Sequence, residues 1–156
     1  MLDVDGVLTD GRLYFSSRGE ELKVFHVRDG HGIKLLMHSG VAVAAVSGRR
    51  SAAVKVRMRE LGVGHLVQGC RDKVAALADL TRRLGIHPLA SACIVDDTPD
   101  LPLMSAVGFA AAVADAHPLV RSAAHWTSTA PGGAGAVREL CDAILRARAR
   151  SRGRRN

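Results

Sequence analysis

The chain has 156 residues, 47% hydrophobic and only 3% aromatic, which suits one domain with a core of Val, Leu, Ala and Ile. No run approaches the roughly 18 apolar residues of a membrane span, and no signal-peptide pattern opens the chain, so a cytoplasmic protein without a membrane partner is expected. The net charge of +7 sits at the end: with Arg146, Arg148, Arg150, Arg152, Arg154 and Arg155 set aside, 16 basic residues face 15 acidic ones, which argues against a specific nucleic-acid partner.

Residues 1–145 therefore read as one domain, and 146–156 as a basic, disordered tail. Taken in chain order, Met1 and Leu2 lead into Asp3-Val4-Asp5, an acidic pair before a glycine turn. Arg12 to Phe15 and Glu21 to His26 predict a hairpin around Ser16-Ser17-Arg18-Gly19. A helix is predicted over 30–39, with Ile33, Leu36 and Met37 on one face. Val41 to Val46 is a short apolar strand, and 51–61 a helix stopped by Gly62. His65 to Val67 is a strand. Residues 72–84 form a helix with Val74, Leu77, Leu80 and Leu84 in register, ended by Gly85. Ala92 to Val95 is a buried strand, 101–106 a short helix, 109–113 a strand and 136–147 a final helix. Cys70, Cys93 and Cys141 lack metal-ligand spacing; Cys93 and Cys141 read as small core residues in a reducing compartment.

Apolar strands alternating with amphipathic helices predict an α/β fold: a Rossmann-like parallel sheet, helices on both faces, and a protruding hairpin. In such sheets ligands sit at the carboxyl ends of the strands. Four polar groups fall there: Asp3 and Asp5, Ser47-Gly48-Arg49-Arg50, Lys73, and Asp96-Asp97-Thr98-Pro99-Asp100. Taken one at a time, a helix cap accounts for Ser47 and an exposed amine for Lys73. Asp96 and Asp97 are harder to dismiss, because adjacent acids repel unless a cation sits between them. Together the groups meet the needs of phosphoryl transfer. These are a carboxylate nucleophile, a second carboxylate for the proton, a hard cation held by oxygens, and a hydroxyl and an amine for the phosphoryl oxygens.

The order Asp3-x-Asp5, Ser47, Lys73, Asp96-Asp97-x-x-Asp100 resembles the haloacid dehalogenase superfamily of phosphatases. Asp3 to Gly11, Phe25 to Ile33, Val113-Ala114-Asp115-Ala116-His117-Pro118 and Gly132 to Glu139 narrow the match. There the chain resembles the 3-deoxy-D-manno-octulosonate 8-phosphate phosphatase family over nearly its whole length. That resemblance implies a capless domain, Mg²⁺ dependence and a homotetramer whose hairpins meet at the centre, with neighbouring subunits helping to close each site. It implies hydrolysis of a sugar-acid phosphate for lipopolysaccharide precursor synthesis. Asp3 would be the nucleophile and a metal ligand. Asp5 would be the general acid/base and a ligand through its carbonyl, and Asp96 the third ligand. Ser47 and Lys73 would hold the phosphoryl group. His26, Val27, Arg28, Asp29, Gly30, Lys34, Gly48, Arg49 and Arg57 would surround the sugar acid.

The chain departs from the family pattern at Val95, where Gly is usual, at Ala134, where Arg is usual, and at His26, often Asn. Two alternative readings follow: an acylneuraminate 9-phosphate phosphatase, and a catalytically impaired tetrameric scaffold. A receiver domain fits poorly, because its phospho-accepting Asp normally ends a mid-chain strand. Nucleotide binding at Gly133-x-Gly135 lacks a third glycine. Only two residues precede Asp3, so the chain as written is expected to be less stable and less active than one extended upstream, with the Met1 amine competing with Mg²⁺ near Asp3.

Overall fold

The computed structural model describes residues 1–153. The chain first forms a small antiparallel hairpin, β1 (Tyr14–Phe15) and β2 (Glu21–Leu22), with Tyr14 opposite Leu22. The Ser16-to-Gly19 turn is as expected, closed by Ser16 N–H to the Glu20 carbonyl at 3.0 Å. The paired part is shorter than the expected strands. Next come α1 (Val27–His38), β3 (Ala44–Ser47), α2 (Ala52–Leu61), β4 (His65–Gln68) and α3 (Lys73–Leu84). The second half holds β5 (Ala92–Val95), α4 (Leu101–Ala106), β6 (Phe109–Ala112), α5 (Pro118–Ala123), β7 (Trp126–Thr127) and α6 (Ala136–Gly153).

β3 pairs with β4, and β5 with β6 and then β7, all in parallel. The start of the chain joins the two halves: Leu2 bridges Ala45 on one side and Ile94 on the other. Leu2 N–H donates to the Ala44 carbonyl at 2.8 Å, and Val46 N–H to the Leu2 carbonyl at 2.9 Å. Asp3 therefore leaves a strand paired on both edges, at the centre of the sheet. The Met1 ammonium is buried and donates to the Ala92 carbonyl at 2.7 Å; burial lowers its pKa. It is engaged away from the carboxylates, so the expected competition with a cation is not built into this fold.

Both faces of the sheet are covered. Ala44 and Val46 pack with Leu80 on one face, while Ala45 belongs to the main core with Leu2, Ile33, Leu36, Val54 and Met58. The alternation follows from the two-residue period of a strand. A cavity of about 420 Å³ lies beside Met1, lined by Leu36, Val43, Leu77, Leu80 and Ile144 among others. It is mostly apolar, with His65, Thr81, Ser91 and Arg148 also on its wall, and none of the predicted catalytic groups lines it.

The helices obey local rules, with three departures. α1 starts at Val27 instead of Gly30, because His26 caps it: its Nδ1 accepts from Arg28 N–H at 3.2 Å. α2 and α3 end at Gly62 and Gly85, as expected, and Asp72 caps α3 through Ala75 N–H. α5 and β7 were not foreseen, since each is too short to show a period. The basic tail is a correction: α6 continues through Gly153, with Arg148 reaching the Ser39 carbonyl at 3.2 Å. Its Ala–Arg alternation is made of strong helix formers carried on from a packed helix. Arg154 and Arg155 lie outside the described residues. Among those described, no helix is long and apolar enough to cross a membrane.

Candidate active site

The carboxyl ends of the central strands meet in a pocket of about 360 Å³. Asp3 follows the bridging Leu2, Ser47 ends β3, Lys73 opens α3 and Asp96 follows β5. All four line the pocket with Asp5, Gly48 and Arg49. Val95, the β-branched departure, is fully buried in β5 and paired with Ala112. An extended backbone suits it, so Asp96 still reaches the pocket.

Lys73 is the electrostatic hub. Its Nζ lies 2.9 Å from Asp3 Oδ1 and 2.6 Å from Asp100 Oδ2. Burial works to lower its pKa, but the two carboxylates outweigh that and raise it. Asp3 Oδ1 also accepts Val4 N–H at 2.8 Å. Ser47 Oγ donates to Asp5 Oδ2 at 3.2 Å and accepts Arg49 N–H at 3.0 Å. The chain supplies the tight turn after Asp5 with Gly6 at φ +85°, where a Cβ would collide with the Asp96 carboxylate.

Carboxylate oxygens of Asp3, Asp96 and Asp100 lie within 4.8 Å of one another. Burial, then the charge of Asp3, pushes the Asp96 carboxyl up to about 7. Burial likewise lifts Asp100 to about 6, against the pull of Lys73. Asp100 Oδ1 is buried with no hydrogen-bond partner. Three crowded acids, one with an orphaned oxygen, fit a hard divalent cation, and an all-oxygen set suits Mg²⁺. Asp100 belongs to the acidic run expected at the fourth strand end, but the sequence assigned it no role. Lys23 and Glu21 were missed as well; nothing in a hairpin sequence shows that it will fold onto a strand end.

Of the predicted sugar-acid residues, Gly48 and Arg49 line this pocket and the others do not. His26, Asp29, Gly30 and Arg57 line a separate shallow depression with Leu8, Phe25, Met58 and Leu61. Arg57 pairs with Glu60 at 2.9 Å. Val27, Arg28 and Lys34 are exposed on α1, and none of them lines the carboxylate pocket. Asp29 is 1% exposed, and its Oδ1 accepts Arg138 N–H at 2.8 Å in the first turn of α6. It acts as that helix's cap from another element, because the Gly132-Gly133-Ala134-Gly135 lead-in offers no side chain for the task. Within one chain Asp29 is thus structural. Ala134 lines no part of the carboxylate pocket either; its N–H closes a turn onto the Pro131 carbonyl at 3.2 Å.

This arrangement has known counterparts. Residues 63–139 match the model of the haloacid dehalogenase-like hydrolases. The 3-deoxy-D-manno-octulosonate 8-phosphate phosphatase of Escherichia coli K12 is 48% identical over 145 residues, 93% of this chain and 77% of that protein. The chain belongs to the 3-deoxy-D-manno-octulosonate 8-phosphate phosphatase family. As a member it is a phosphoric monoester hydrolase. The crystal structure of the Yersinia pestis phosphatase superposes with a TM-score of 0.90 at 49% identity, covering 92% of this chain and 78% of that one. That of Moraxella catarrhalis, in complex with a magnesium ion, a phosphate ion and a KDO molecule, superposes at 0.91 with 44% identity, covering 94% and 84%.

Proposed function

We propose that this chain hydrolyses 3-deoxy-D-manno-octulosonate 8-phosphate to the free sugar acid and phosphate through a phosphoenzyme on Asp3. The observation that carries the reading is the meeting of Asp3, Asp5, Ser47, Lys73 and Asp96 in one pocket at the carboxyl ends of the central strands. The substrate comes from the family, whose phosphatases share 48–49% identity with the chain.

In this reading an oxygen of Asp3 attacks phosphorus as the bond to the sugar oxygen breaks, and Asp5 gives its proton to that leaving oxygen. Asp5 then takes a proton from water as the water oxygen attacks phosphorus, which releases phosphate and restores Asp3. Ser47 Oγ and Lys73 Nζ hold the non-bridging oxygens, and Asp100 keeps Lys73 beside Asp3. Asp3, the Asp5 carbonyl and Asp96 would hold Mg²⁺, whose charge offsets that of the phosphoryl oxygens. Asp100, the third acid of the cluster, lies within reach of the same ion.

The reading extends to assembly: copies of this chain meet through the hairpin, as in the family's tetramer. Leu13, Phe15, Leu22, Val24 and Val27 are all at least half exposed, a larger apolar patch than a lone capless chain has reason to show. Phe25, on the same stretch, packs against the core instead. A neighbouring copy would also account for the predicted sugar-acid residues that lie away from this chain's own pocket.

The test is phosphate release from 3-deoxy-D-manno-octulosonate 8-phosphate and acylneuraminate 9-phosphate, with and without Mg²⁺. Release from the first, lost on chelation, is expected. Asp3→Asn should lower turnover by at least about a thousandfold, because an amide is a poor nucleophile, with an unchanged melting temperature. Full activity in that variant would sink the mechanism.

A further inference from the structure

One side chain ties the hairpin to the site. Lys23 lies just past β2, and its side chain is only 2% exposed. Its ammonium contacts Asp5 Oδ1 and lies 3.4 Å from Glu21 Oε1. Glu21 also holds Arg49, Nη2 to Oε1 at 2.9 Å. A hydrogen bond with Ser51, opposed by burial and aided by Arg49 and Lys23, keeps the Glu21 carboxyl below the usual range. The other oxygen of Asp5, Oδ2, faces the Ser47 hydroxyl at 3.2 Å.

A solvated carboxylate next to a phosphate site is free to rotate about two bonds. Here both oxygens are engaged, and by different elements: one by β3, the other by the hairpin. A nearly buried ammonium is a costly group to keep unless its charge is used, and the partners present are Asp5 and Glu21. We infer that Lys23 is a positioning residue for proton transfer: it fixes the Asp5 carboxyl plane so that one oxygen faces the leaving alcohol and, later, the attacking water. The inference rests on the reading of Asp5 as the general acid/base. With Oδ1 taken by the ammonium, Oδ2 carries the proton once the Ser47 hydroxyl turns to the phosphoryl group. The proton passes from Asp5 to the leaving oxygen and returns from water, and Lys23 keeps its own protons throughout. The hairpin is then more than an assembly device, because its docking orients the acid.

Leaving-group chemistry separates this role from a merely structural one. An alkyl phosphate needs its leaving oxygen protonated; p-nitrophenyl phosphate expels a stable phenolate and hardly needs the acid. The measurement is kcat/KM, which reports the steps up to phosphoenzyme formation, for 3-deoxy-D-manno-octulosonate 8-phosphate and for p-nitrophenyl phosphate. Lys23→Gln is expected to lower the first by about tenfold or more and the second by less than about threefold, within the range that general acids supply. Lys23→Arg, which keeps the charge, should recover most of the loss. Should Lys23→Gln fail to fold, Lys23→Met is read by the same ratio. Equal losses on both esters, or a gain on the sugar-acid ester, overturn the inference. A wild-type chain that turns over p-nitrophenyl phosphate but no sugar-acid phosphate refutes the substrate reading instead. An Asp5→Asn variant with full activity refutes the acid assignment, and the inference falls with it.

Discussion

Gly6 shows how much chemistry one missing side chain can hold in place. It turns the backbone at φ +85° directly after Asp5, and the space where a Cβ would lie is occupied by the Asp96 carboxylate. Gly6→Ala therefore faces two penalties at once: a strained backbone of about 1–3 kcal/mol and a displaced metal ligand. The expected outcome is a lower melting temperature together with a marked rise in the Mg²⁺ concentration needed for half-maximal phosphate release. A variant with an unchanged Mg²⁺ requirement would show that Asp96 is not a ligand. The residues of the pocket were legible in the sequence because each ends a strand or begins a helix, so chain order alone brings them to one edge. Asp100 was less so, since only the fold shows it bonded to Lys73.

At the scale of elements, Asp29 and Gly32 of the motif Arg28-Asp29-Gly30-His31-Gly32 pack α1 against α6, while Arg28 and His31 are exposed. Gly32 lets α1 approach α6 so closely that a Cβ would lie 2.9 Å from Arg138 Cδ and 3.2 Å from Cys141 Cβ. Asp29 caps α6 across that contact. Its carboxyl is raised mainly by burial, against the hydrogen bond from Arg138, and Oδ2 has no partner. Asp29→Ala leaves the α6 amide unpaired in a buried place, and a loss of about 1–3 kcal/mol in unfolding free energy is expected from denaturant titration. A loss below a few tenths would mean that water or the Gly135 backbone replaces the cap. The helices that the sequence located best, α2 and α3, both stop at a glycine, and α3 also carries its own Asp72 cap. α1 was bounded less well because its cap is His26, which the pattern assigned to the hairpin, and α6 because it runs past 147 to Gly153. β7 and α5 escaped for lack of length, and the basic tail misled because charge was read without the helix leading into it.

The whole molecule should respond to pH through its acid cluster. Asp96 and Asp100 bind protons more tightly in the folded chain, at about 7 and about 6, than their ordinary 3.8. Raised carboxyls favour the folded state at low pH, and that contribution fades as pH climbs from about 4 through 7. Without metal the melting temperature is expected to fall across that window and then level off. Saturating Mg²⁺ should flatten the curve, because the cation takes over from the protons; a flat curve without metal would contradict the crowding of these acids. Assembly has its own readout. Phe15, 58% exposed on the hairpin, is a fair target: Phe15→Glu should lower the particle mass seen by light scattering and reduce activity with it. A fully active wild-type monomer would overturn the tetramer. One contact also bears on how the protein comes into being. Gly132 and Gly133 press against the backbone of Gly6, Thr9 and Asp10, and Gly133 N–H donates to the Val7 carbonyl at 2.9 Å. The loop that follows the nucleophile is braced by residues more than 120 positions later. A ribosome must therefore deliver more than about 120 further residues before that loop can settle, so these long-range contacts become a late, slow step of folding. Until then the emerging acids stand unbraced, and a nascent chain stopped short of Gly132 and Gly133 should hold neither metal nor phosphate.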